Sequence, residues 1–120
     1  MDLARKLQLP PGGVLLRTAA ADLPDAFTEL ASTTDAAAAT AAVVLVRVRA
    51  ELASAEVRET LEFARRDAVS WIAYPKAGQL GTDLNRDSLA DLVRAEGLRP
   101  VRQVSIDPVW SALRFRPAEG

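Results

Sequence analysis

The sequence predicts one α/β domain, in which a mostly parallel sheet carries helices on both faces and ends in an antiparallel hairpin. Three observations predict it. Residues 43–48, Val-Val-Leu-Val-Arg-Val, are an almost unbroken apolar run, which suits a strand covered on both sides. Strand-like and helix-like stretches alternate along the chain, the pattern of parallel strands joined by crossovers. Near the C-terminus only Asp107-Pro108 separates two strand-like segments, too little for a crossover, so these must pair antiparallel.

Leu3 and Leu7 lie four apart, a short helical stripe that Pro10-Pro11 ends. Gly12-Gly13 is a turn, and residues 14–18 read as the first strand. Asp22 is the expected N-cap of a helix bearing Ala26, Phe27 and Leu30, with Pro24 tolerated in its first turn. Residues 31–42, Ala-Ser-Thr-Thr-Asp and then mostly alanine, read as a connection with a helical turn. After the strand at 43–48, residues 51–65 carry Ala53, Val57, Leu61 and Ala64 at helical spacing. Residues 68–74 form the next strand, stopped by Pro75, and a glycine-containing loop follows over 76–83. Asn85 or Asp83 caps a helix bearing Leu89, Leu92 and Val93, and Gly97 ends it. Residues 101–106 and 109–115 are the hairpin strands. The order is β-α-β-α-β-α-β-β, about five strands in one mostly parallel sheet. The expectation is a three-layer, Rossmann-like α/β domain spanning residues 1–120 without internal repeats.

Composition narrows the chemistry. The 120 residues include 23 alanines against 29 Leu, Ile and Val, and only six aromatic residues, so the core is aliphatic. Cysteine and histidine are absent. That excludes disulfides, thiolate chemistry, Ser–His pairs and His-based metal sites. Formal net charge is −1, so no global field recruits nucleic acid or an anionic membrane. No apolar segment approaches the roughly 20 residues that span a bilayer, and residues 1–13 do not have the pattern of a secretory signal. The expected compartment is the cytoplasm. There is no Gly-x-Ser-x-Gly elbow and no phosphate loop ending in Gly-Lys-Ser/Thr. No catalytic residue, cofactor or metal is expected.

Four stretches resemble an uncharacterised bacterial family of unknown function. They are Trp71-Ile72-Ala73-Tyr74-Pro75-Lys76, Thr82-Asp83-Leu84-Asn85-Arg86-Asp87, residues 100–107 (Pro-Val-Arg-Gln-Val-Ser-Ile-Asp) and residues 110–117 (Trp-Ser-Ala-Leu-Arg-Phe-Arg-Pro). That family implies no activity. The architecture also resembles a shortened class I methyltransferase, a fold with an antiparallel strand inserted beside its last parallel ones. Its cofactor turn after the first strand needs glycine, whereas the matching Thr18-Ala19-Ala20-Ala21-Asp22 has none. The resemblance therefore implies a degenerate frame.

In open α/β sheets, ligands bind beyond the carboxyl ends of the parallel strands. That edge would gather Tyr74, Lys76, Asp83, Asn85, Arg86 and Trp110 into one concavity. Lys76, one of two lysines against 13 arginines, would pair with a phosphate or carboxylate, or act as a base if desolvated; the plainer reading is a solvated loop lysine. Residues 82–86 sit at a helix start that could hold an anion, although ordinary capping explains them as well. Tyr74 and Trp110 would stack on a planar ligand or simply pack in the core. Arg114 and Arg116 share the face opposite Leu113 and Phe115, as a solvated face or an anion site.

The expected function is a non-catalytic binding or protein-interaction domain. The alternative is an enzyme or sensor that binds a small ligand, a nucleotide or an anion, at the edge formed by residues 74–86. A protein partner or a homodimer is expected, with an open sheet edge and the small residues Ala50, Ala53, Val57 and Ala64 as candidate contacts. Nucleic acid and membrane are not.

Overall fold

The computed structural model describes residues 2–18 and 23–118. Six strands form one sheet in the order β2-β1-β3-β4-β6-β5: β1 (Gly13–Thr18), β2 (Ser32–Thr33), β3 (Ala39–Leu45), β4 (Val69–Pro75), β5 (Leu98–Ser105) and β6 (Trp110–Pro117). The first four run parallel, and β6 runs antiparallel to both β4 and β5. Hence β6 lies between two strands that share a direction, and β5 becomes an edge. The α/β class and the closing hairpin follow the sequence expectation.

The helices are α1 (Leu3–Lys6), α2 (Ala55–Arg65) and α3 (Arg86–Ala95). Strand alternation sorts the core into two faces. On one, Val44, Ile72, Tyr74, Leu113 and Phe115 meet Val57 and Leu61 of α2 and Leu89 and Val93 of α3. On the other, Val43, Leu45, Trp71 and Ala112 meet Leu3, Leu7, Phe27 and Leu30 of the N-terminal segment. Both longer helices thus share one face, and the opposite face is covered by α1 and a chain with little helix. Trp71, fully buried, donates its indole N–H to the Leu7 carbonyl at 2.8 Å and ties α1 down. Residues 41–46 are fully buried, and the strand expected over 43–48 instead starts at Ala39 and stops at Leu45.

Several expectations change. The helix expected from Asp22 onward is a single 3-10 turn over Asp25–Phe27, and Asp22 itself lies outside the described residues. Phe27 and Leu30 still bury, because a three-residue spacing serves a 3-10 turn as well as a helix. Residues 31–42 hold the edge strand β2, a 3-10 turn over Ala36–Ala38 and the start of β3. The helix expected over 51–65 divides at Ser54, whose extended backbone (φ −70°, ψ 159°) ends a 3-10 segment, Arg49–Ala53, and caps α2. Gly97 does follow α3 with φ +78°, the left-handed stop that glycine adopts freely. Among the described residues no helix is long and apolar enough to cross a membrane.

Candidate functional site

The carboxyl ends of β3 and β4 are closed by the chain's own polar groups. Thr82 donates its hydroxyl to the Arg47 carbonyl at 2.6 Å and accepts from the Leu84 N–H at 3.0 Å. Asp83 accepts from the Arg49 N–H at 2.7 Å. Glu51 accepts from the N–H groups of Arg47 (2.5 Å) and Val48 (3.1 Å). The loop after β4 is therefore strapped onto the loop after β3. Asp107 accepts from Val109 and Trp110 at 2.8 and 2.7 Å and so shapes the hairpin turn. The Arg47 guanidinium lies 5.3 Å from the centre of the Trp110 ring, a cation–π distance.

The six expected residues do not form one concavity. Trp110 pairs across the sheet with Pro75, and Tyr74 pairs with Ser111. Directly opposite residues share a face, so Tyr74 points to the α2–α3 side and Trp110 to the N-terminal side. Trp110 packs edge-on against Phe27, with centroids 6.2 Å apart. The Tyr74 hydroxyl accepts from the Gln103 amide at 2.9 Å. Burial raises its pKa, while that hydrogen bond and the charge of Arg86 pull the other way. Lys76 donates to the Ser105 hydroxyl at 2.7 Å and links the end of β4 to the end of β5. Asn85 caps α3 by accepting from Ser88 N–H at 2.9 Å, and Arg86 sits 3.7 Å from Asp87 at the exposed helix start. Of the six, Arg86 lines a 320 Å³ cleft between α3 and β5, together with Ala90, Val101, Arg102 and Gln103, and Tyr74 reaches that lining only through its bond from Gln103.

A second concavity, 430 Å³, runs between α2 and α3. Leu52, Leu61 and Leu92 line it, with Arg49 and Arg58 on one side and Asp91 and Glu96 on the other. The small residues expected at a contact divide: Val57 and Ala64 pack fully buried on the sheet, and Ala50 and Ala53 are exposed. Both sheet edges are blunted. The β2 strand has two residues, and β5 carries Pro100, a register shift between Pro100 and Arg102, and charged side chains.

The terminal hairpin adds Arg99 and Arg102, which the sequence reading missed, to the face it assigned to Arg114 and Arg116. Arg99 pairs with Arg116, and Arg102 pairs with Arg114, directly across the β5–β6 ladder. Arg116 grips Asp67 with two bonds of 2.8 and 2.9 Å, which hold that carboxyl below its ordinary pKa. Arg114 donates to the Gln8 side chain at 3.2 Å, and its buried Nε has no hydrogen-bond partner among the described residues. Burial and then the neighbouring Arg116 lower its pKa.

No family model, curated protein or solved structure matches the chain.

Proposed function

We propose that this chain is a non-catalytic binding domain, built on a degenerate methyltransferase-like, three-layer Rossmann-type frame, whose partner is a second copy of itself. The strand order supports the frame: the antiparallel β6 is inserted between β4 and β5, as that resemblance implies. One observation carries the non-catalytic reading. At the part of the frame's ligand edge formed by the loops after β3 and β4, Thr82, Asp83 and Glu51 are spent on the backbone of residues 47–49, while residues 19–22, which follow β1, lie outside the described residues.

The groove between α2 and α3 favours a second copy. Its floor is leucine, its α2 side carries Arg49 and Arg58, and its α3 side carries Asp91 and Glu96, which within the chain form exposed ion pairs with Arg94 at 3.5 Å and Arg65 at 3.1 Å that a second copy would exchange. A two-fold axis along such a groove sets arginines of one copy against carboxylates of the other, the self-complementarity an isologous interface needs. With both sheet edges blunted, the helical face is the better contact. A thermal-shift titration with S-adenosyl compounds tests the frame's loss of function. No stabilisation is expected. A ligand at a hundredfold its dissociation constant would add about 2.7 kcal/mol, and a shift of that size would overturn the non-catalytic reading.

A further inference from the structure

The geometry points to an oxyanion site on the β5–β6 hairpin, where Arg102 and Arg114 together hold a phosphate-type dianion. This site is independent of the self-association proposed above and of the closed carboxyl edge. It lies toward the opposite end of the sheet, since Arg114 is paired with Trp71 near the start of β4 while Trp110 is paired with Pro75 at its end.

The argument begins with the ladder. Like charges directly opposite each other in an antiparallel pair destabilise it, yet here two arginine–arginine pairs flank the Pro100–Phe115 pair. Positions 114 and 116 are two apart and share a face. Positions 99 and 102 are three apart and would fall on opposite faces in a regular strand. The register shift between Pro100 and Arg102 brings both opposite an arginine, as an extra residue in a bulge does. Four guanidinium-bearing residues are thereby gathered on one face of the hairpin. The carboxylate bonded to this group among the described residues is Asp67, and both its oxygens are engaged by Arg116.

The Arg102–Arg114 pair has no carboxylate bonded to it among the described residues. Arg114 keeps a buried, unpartnered Nε–H, a donor whose desolvation is uncompensated unless an acceptor arrives. A tetrahedral oxyanion supplies what is missing: several acceptor oxygens and two negative charges against two planar donor forks. Inorganic phosphate and phosphate monoesters share this chemistry.

The test uses the full chain with inorganic phosphate and, separately, phenyl phosphate, at ionic strength held constant with chloride. Arginine Nε–H resonances report binding, and thermal unfolding reports stability. Saturable shifts of the Arg102 and Arg114 resonances are expected, stronger at pH 7.5 than at pH 5.5 because the second ionisation, at about 6 for a monoester and higher for the inorganic ion, supplies the second negative charge. A tighter fit for phenyl phosphate identifies a monoester as the ligand, and equal binding identifies the free anion. Arg102→Ala should weaken binding at least tenfold and, by removing a like-charge pair, raise the unfolding midpoint of the ligand-free protein. Arg114→Lys keeps the charge but removes the Nε donor and should weaken binding without unfolding the chain. Absence of saturable shifts, or an Arg102→Ala variant that binds phosphate as tightly as the parent, overturns the site.

Discussion

Thr82 and Arg47 are joined by a 2.6 Å hydrogen bond from the threonine hydroxyl to the arginine carbonyl, which locks together the loops that follow β4 and β3. A ligand entering over β3 and β4 would have to break it. Replacing Thr82 with valine keeps the shape and removes both the donor and the acceptor that serves Leu84. The variant is expected to lose about 1–2 kcal/mol in urea unfolding, with faster amide exchange at residues 84 and 49. Unchanged stability and exchange would mean the loops are not held this way.

Trp71 packs on the N-terminal segment and anchors it with a buried hydrogen bond, its indole N–H to the Leu7 carbonyl at 2.8 Å. Trp71→Phe keeps most of the ring and leaves that carbonyl without its donor. The expected cost is about 1–3 kcal/mol, accompanied by selective loosening of α1 in hydrogen exchange. A uniform loss with α1 still protected would show that packing alone holds it.

Asp67 sets an acid-side dependence. Its carboxyl is held below the ordinary value of 3.8, first by the hydrogen bond from Arg116. A depressed folded-state pKa contributes stability that is present above the unfolded value and is lost as pH falls through the folded one. The loss should therefore begin near pH 3.8 and continue below it, and it should be modest because both partners are partly exposed. Asp67→Asn tolerates the backbone φ of +59° and should flatten this part of the curve. Parallel urea-midpoint curves for the two proteins below pH 4 would contradict the assignment.

Much of the fold was legible because it is written locally. The apolar run at 43–48, the helical spacing after Ser54, the Gly97 stop and the short Asp107-Pro108 link each specify structure within a few residues. The Phe27 segment was not, since residues three apart bury equally well in a 3-10 turn. The site was harder, because it depends on register. Tyr74 and Trp110 come near the same edge, but pairing Trp110 with Pro75 instead of Tyr74 puts the two rings on opposite faces, and a one-residue slip reverses that. Arg114 and Arg116 were legible from alternation, and the other half of the arginine group escaped for the same reason. Arg99 and Arg102 share a face only through the register shift beside Val101, which nothing in their spacing announces.

The proposed self-association through the α2–α3 groove is probed most directly at Leu92. It is a partly buried leucine in the groove lining, so Leu92→Glu should fold while placing a charge in the middle of the proposed contact. Sedimentation equilibrium across a concentration series measures the outcome directly. The parent chain is expected to rise from 12.9 kDa toward twice that mass, and Leu92→Glu to stay at the monomer value. A parent mass that remains at 12.9 kDa at every concentration would contradict it.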